Sequence, residues 1–159
     1  MSLDNDISLL SGVALFSELN AEQVRLLAFS AAHRELGPDE NLFHEGDDAQ
    51  AGYIVARGEI VLSRGEGDDR KILATCDTGC LIGEIALFIN TKRPASATAT
   101  RMTDVMEINR ALMTRMLNEY PHVALRLRVA LSERLTATVS ELGRVRSALD
   151  RIEWAGPAR

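Results

Sequence analysis

The chain has 159 residues, 46% of them hydrophobic and 26% charged, the make-up of a soluble globular domain long enough to bury a real core. No apolar run approaches the roughly 18 residues of a membrane span, the N-terminus lacks a basic-then-apolar signal pattern, and two cysteines do not make a disulfide framework, so a reducing cytoplasm is expected. The net charge of −5 is unevenly divided: from Arg110 onward nine arginines stand against five acids, a balance of +4 that leaves −9 for the rest, and the glutamates interleaved among these arginines mark a solvated helix face rather than a nucleic-acid surface.

The opening Met-Ser-Leu is set aside, and a short helix is expected over residues 6–14. Asn20-Ala21-Glu22-Gln23 has the form of a capping box, with Asn20 as N-cap and Gln23 three residues on. Val24, Leu27, Ala28 and Ala31 recur at helical spacing, which predicts an amphipathic helix over residues 20–32. From about 34 to 109 the pattern changes. Eight of the eleven glycines lie between Gly37 and Gly83, punctuating short β-type runs: YIVAR, EIVLSR, KILATC, SATATR and DVMEIN. The clearest turns are Gly46-Asp47-Asp48, Arg57-Gly58 and Gly65-Glu66-Gly67-Asp68. Many short strands between such signals predict a mainly β, α+β domain built on an antiparallel jelly-roll barrel, the double-stranded β-helix.

After Asn109 the helical period returns, and Pro121 sits where a helix can begin. Leu131, Leu135, Thr138, Leu142, Val145, Leu149 and Ile152 are then spaced alternately four and three apart. This is a coiled-coil seam about 33 Å long at 1.5 Å per residue, with Thr138 its one polar member. Glu141 and Arg146 fall at g and e positions that bridge two parallel helices. The alternative is that the stripe packs on its own domain; a repeat that holds through Ile152 favours a partner helix. The expected organisation is an N-terminal helical segment over 1–33, the jelly roll over 34–109, C-terminal helices including a dimerisation helix over 110–153, and a tail over 154–159.

The segment Gly83–Ala97, GEIALFINTKRPASA, carries the chemistry. A glycine before a helical turn lets a ligand approach the backbone. Ile85-Ala86-Leu87-Phe88 would form a short helix whose free N–H groups attract an anion. Arg93 supplies a planar, permanently charged fork that fits phosphate oxygens. Glu84 is repelled by a phosphate and better placed to accept from hydroxyls, as on a ribose. Ala95, Ser96 and Ala97 are small and would not crowd a nucleotide. On residue types alone, ligand binding and a surface ion pair both remain open.

The same segment resembles the phosphate-binding cassette of cyclic-nucleotide-binding domains, with G-E-[IL]-A-L, a short loop and R-x-A-[ST]. LFSELNAEQVRLLA resembles that family's entry helices, ENLFHEGD its second strand and turn, and GYIVARGEIVL its hairpin. YPHVALRLRVALSERLTATVSELGRV resembles the dimerising helix of the bacterial catabolite-activator (Crp/Fnr-type) regulators. The resemblance runs from about Leu15 to Leu149. It implies that Glu84 binds the ribose 2′-hydroxyl, that backbone amides of Gly83, Ile85 and Ala86 hold the cyclic phosphate with Arg93, and that Thr138 meets the purine, in a pocket completed by a second subunit. It also implies cAMP as ligand and a cytoplasmic homodimer.

Two departures stand out. The family usually has Ser, Thr or Ala where this chain has Pro94, which offers neither hydroxyl nor N–H. A lost hydrogen bond there costs about 1–3 kcal/mol, and the missing hydroxyl, which many cGMP-preferring members use against guanine, leans the site from cGMP toward cAMP. The activators also continue into a helix-turn-helix, whereas this chain runs on to Arg159 with too few residues for a DNA-reading domain. The expectation is a sensor module without specific DNA binding of its own, or a truncated form of such a regulator; a dimerisation or scaffold module with ligand binding lost or altered is the alternative.

Other chemistry is set aside. His33, His44 and His122 lack the spacing of a metal site, and Cys76 and Cys80 flank a turn without two further zinc ligands nearby. Trp154 reads as a tail residue rather than an aromatic lid. No nucleophile–base pair or carboxylate dyad stands out, so no enzyme and no metal are expected.

Overall fold

The structure, a computed structural model, describes residues 2–134, 143–149 and 152, with the side chains of 128–134 excepted. Helix α1 (Leu3–Ser11) starts where Ser2 Oγ accepts the Asn5 N–H at 3.2 Å, and Asp4 and Asp6 suit the positively polarised first turn. The cap lies in the Met-Ser-Leu set aside above, so the helix begins before residue 6 and ends before 14; a 3-10 turn over Ala14–Glu18 follows. Helix α2 (Ala21–Ser30) has both halves of the capping box, Gln23 N–H to Asn20 Oδ1 and Asn20 N–H to Gln23 Oε1, each at 2.9 Å.

Ten strands follow among the described residues: β1 (Ala32–Leu36), β2 (Asn41–Phe43), β3 (Asp48–Ala49), β4 (Ala51–Arg57), β5 (Ile60–Arg64), β6 (Lys71–Cys76), β7 (Leu81–Ile82), β8 (Thr91–Lys92), β9 (Ser96–Ala99) and β10 (Thr103–Asn109). They pair antiparallel as β1-β10-β4-β7, β2-β9-β5-β6 and the short ladder β3-β8. The antiparallel sheets are as expected, but the jelly-roll barrel is not closed. β1, β7, β2 and β6 each have one ladder neighbour, so two open sheets pack face to face.

Between the sheets lies one core, in which Tyr53, Val55 and Val105 from the first meet Phe43, Ile60 and Ala97 from the second. A second core fills the outer face of β4 and β10, where Ile54, Met106 and Ile108 pack on the helices. β4 is therefore covered on both faces, which is why YIVAR is a continuous apolar run rather than an alternating one.

Helix α3 (Arg110–Glu119) is capped by Asn109, whose Oδ1 accepts the Leu112 N–H at 2.7 Å, and α4 (Pro121–Arg134) begins at the expected proline. Val123, Ala124 and Leu127 enter the helical core.

The predicted seam divides here. Leu135, Thr138, Glu141 and Leu142 lie outside the described residues. Residues 143–149 are helical, and Val145 and Leu149, each 1% exposed, belong to the chain's own helical core, with Ile152 packed against it. This end of the stripe is thus covered intramolecularly, not left for a partner helix, because burying these side chains at home removes them from water just as a partner would. Leu149→Ala should therefore destabilise the fold itself, by about 2–5 kcal/mol. Denaturant unfolding checks this: the loss should be the same at low and high protein concentration, whereas a purely intersubunit Leu149 would make it concentration-dependent.

Candidate functional site

The 83–95 segment is a loop tied at both ends. β7 delivers the chain to Gly83, which takes the left-handed conformation at φ +77° and turns it into a single 3-10 turn over Glu84–Leu87. The short helix expected over 85–88 is thus tighter and one residue earlier. At the far end β8 pairs with β3, after which the Arg93 N–H donates to the Asp47 carbonyl and the Arg93 carbonyl accepts the Gly46 N–H, both at 2.8 Å. The glycine-marked turn at 46–48 is the anchor for the arginine.

Gly83, Glu84, Ile85 and Ala86 line one wall of a cavity of about 730 Å³, and Arg93, Pro94 and Ala95 line another. Its size suits a drug-sized or nucleotide-sized ligand. Glu84 is half-buried and, among the described residues, forms no ion pair. Ile85 presents its N–H in the first turn of the 3-10 segment. The Ala86 N–H, in contrast, donates to the Gly83 carbonyl at 3.1 Å, so that donor is engaged within the turn. Pro94 is exposed, and its carbonyl accepts from Arg64 Nε at 2.9 Å. Ala95, which lines the cavity, and Ala97 are both buried. Thr138 lies outside the described residues.

Arg93 dominates the electrostatics. It is 5% exposed, and its Nη2 donates to the Ala51 carbonyl at 2.8 Å. Its guanidinium carbon stands 4.1 Å from the centroid of the Phe43 ring and 5.5 Å from that of Tyr53. Burial pushes the guanidinium below its ordinary value, opposed by Tyr53 and by the Asp47 and Glu107 carboxylates, and it remains a cation. Burial and the nearby Glu107 hold the Tyr53 hydroxyl above its usual value. Two more cations, Arg64 and Lys92, line the cavity, with Lys92 paired to Asp48.

Reading the sequence locally singled out Glu84 and Arg93 but missed the partners that hold the arginine. Phe43 and Tyr53 sit in runs already quoted as strand and hairpin; their apolar character marks them as core, and nothing local says which side chain they cover.

The residues set aside as structural have structural partners. His33 Nε2 donates to Asp6 Oδ2 at 2.8 Å, and His44 Nε2 accepts from Asn41 Nδ2 at 2.6 Å. Cys76 is buried and Cys80 half-buried. Among the described residues no group of three His, Cys, Asp or Glu side chains could hold a metal ion. No described helix is long and apolar enough to cross a membrane.

Two packed antiparallel sheets flanked by helices, with a carboxylate and a buried guanidinium brought to one cavity by a glycine-led loop, have the form of a small-molecule-binding domain. Residues 33–120 match the cyclic nucleotide-binding domain family, and the chain belongs to it. The chain is 33% identical over 150 residues to the cyclic AMP receptor protein of Thermus thermophilus, an alignment covering 92% of this chain and 69% of that protein. A cyclic nucleotide-binding-like protein from Brucella abortus is 39% identical with a TM-score of 0.66, covering 72% of this chain and 98% of that one. The N-terminal domain of a transcriptional regulator from Streptomyces coelicolor A3(2) is 32% identical with a TM-score of 0.73, covering 79% and 91%.

The contact between Gly83 and Arg93 yields a test of the site's geometry. A Cβ at position 83 would lie 2.5 Å from Arg93 Nη1, on a backbone with φ +77°. Gly83→Ala should cost about 1–3 kcal/mol of stability by chemical denaturation, and part of that cost should vanish in an Arg93→Ala background, because the clash is gone while the strained φ remains.

Proposed function

We propose that this domain is a cyclic-nucleotide sensor with cAMP as its ligand, a regulatory module rather than an enzyme. The observation that carries this is the cavity itself: a half-buried carboxylate and a buried arginine, neither with an ion-pair partner among the described residues, face the same space. A cyclic nucleotide offers the matching groups, a ribose hydroxyl that donates to Glu84 and a cyclic phosphate whose exocyclic oxygens accept from Arg93. The amides of Gly83 and Ile85 supplement the arginine, and that of Ala86 does so only by sharing its bond to Gly83. Ala95 leaves room for the phosphate. The sensing unit is the sheet region over 34–109, with 1–33 and 110–153 as its helical frame and 154–159 as a tail.

Thr138 is assigned to the purine and the seam around Leu131, Leu135 and Leu142 to a cytoplasmic homodimer, on the sequence pattern and the likeness to the catabolite activators. Isothermal titration with cAMP and cGMP tests the ligand: cAMP should bind more tightly, since Pro94 brings no hydroxyl to a guanine. Equal or reversed affinities would sink that preference. Arg93→Ala should cost about 2–5 kcal/mol of cAMP affinity, with Glu84→Gln costing less because an amide oxygen still accepts from the ribose hydroxyl.

Pro94 also supports a second reading, a domain whose ligand binding is lost or altered, since two donors that relatives place near the phosphate are absent. Pro94→Ser should tighten cAMP binding several-fold by restoring them. If the wild-type protein takes up neither nucleotide in the titration, this second reading replaces the first.

A further inference from the structure

The surroundings of Arg93 show how a buried cation is kept available. Burying a guanidinium without compensation is costly, and the usual compensation is a carboxylate. Arg93 has none: no ion pair to it exists among the described residues, although it is 5% exposed. Its close partners are instead the Ala51 carbonyl, the Phe43 ring at 4.1 Å and Tyr53, which offers its ring at 5.5 Å and its hydroxyl, while the Asp47 and Glu107 carboxylates act on it only from beyond ion-pair distance.

This choice matters for an anion-binding arginine. A carboxylate bonds the N–H edge of the guanidinium, the same edge that a phosphate needs, and so competes with it. A ring attracts the cation through the guanidinium face and leaves edge donors free. Phe43 is closer than Tyr53 and is held by its own frame. It ends β2 opposite Ala97 of β9, lies 6.0 Å from the Tyr53 ring across the sandwich, and directly precedes the 44–47 turn whose Asp47 carbonyl takes the Arg93 N–H. Backbone and side chain of Arg93 are thus both fixed from this one corner.

We propose that Phe43 is a positioning residue for the anionic end of the ligand, an aromatic platform that holds the Arg93 guanidinium in the cavity wall while its edge bonds the Ala51 carbonyl and no carboxylate. This rests on the sensor reading above. Phe43 does not line the cavity, so its effect on a ligand passes through Arg93.

The test is cAMP titration of the wild type, Phe43→Met, Phe43→Leu and Phe43→Tyr, with a melting curve for each. Met and Leu keep an apolar filling and remove the ring, whereas Tyr keeps the ring. Phe43→Met and Phe43→Leu should raise the cAMP Kd about threefold to thirtyfold at little change in melting temperature, and Phe43→Tyr should stay within about twofold of wild type. Unchanged affinity in the Met and Leu proteins would overturn the positioning role while leaving the sensor reading intact. So would an equal loss in the Tyr protein, or a loss confined to variants whose melting temperature falls, either of which reduces Phe43 to packing. A wild type that binds neither cAMP nor cGMP overturns the sensor reading, and this role with it.

Discussion

Placing the Arg93 guanidinium under the surface obliges several elements to converge on it. Its face needs aromatic carbon, so β2 from one sheet and β4 from the other must bring Phe43 and Tyr53 to the same corner. Its edge needs a carbonyl, which the start of β4 supplies at Ala51. Its Nη1 needs room, so the residue beside it has no side chain, and that residue, Gly83, is also the one that must adopt a positive φ. One glycine therefore answers two demands at once, conformational and steric.

The loop that carries Glu84 and Arg93 faces both the cavity and the helical core. Its inner limb reaches the cavity, while Leu87, Phe88 and Ile89 are buried among the helices. Arg110, at the first position of α3, donates through Nη1 to the carbonyls of Ala49, Ala86 and Ile89 at 2.8–3.3 Å, and Arg144 donates to that of Asn90 at 2.6 Å. The 3-10 turn is thus held from the cavity side by its contact with Arg93 and from the other side by cations on two helical segments. A shift of the turn by even a fraction of an ångström is felt in a helical core packed at close to crystalline density.

Much of this was legible from residues whose signals are local. A capping box, glycines at turns and short β-type runs each state their structure within a few positions, and they located α2 and the main strands. The Glu84–Arg93 spacing was legible too, because one loop carries both. What could not be read was non-local. Which strands pair decides whether a set of strands closes into a barrel or stays as two sheets, and no short window contains that. The start of α1 was hidden for a simpler reason, since its cap, Ser2, lies in a stretch that looked dispensable. The C-terminal stripe was the most instructive case. A four-three apolar repeat says that one face of a helix must be covered, but not by what, and Val145 and Leu149 find their cover in the chain's own core.

Pro94 gains its meaning from these constraints taken together. At that position the chain offers no hydroxyl and no N–H, and its carbonyl is already occupied by Arg64. On the opposite wall the Ala86 N–H is engaged by Gly83. An anion entering this cavity therefore meets fewer free neutral donors than the loop's length suggests, and the balance of its stabilisation shifts to charge. Charge-assisted bonds are about twice as strong as neutral ones, so a single well-held guanidinium offsets the loss of a neutral donor at Pro94. That holds only if the guanidinium is not itself spent on a carboxylate. The aromatic setting of Arg93 and the proline beside it are in this sense one arrangement: the fewer the neighbouring donors, the more the site depends on keeping the buried Arg93 out of an ion pair.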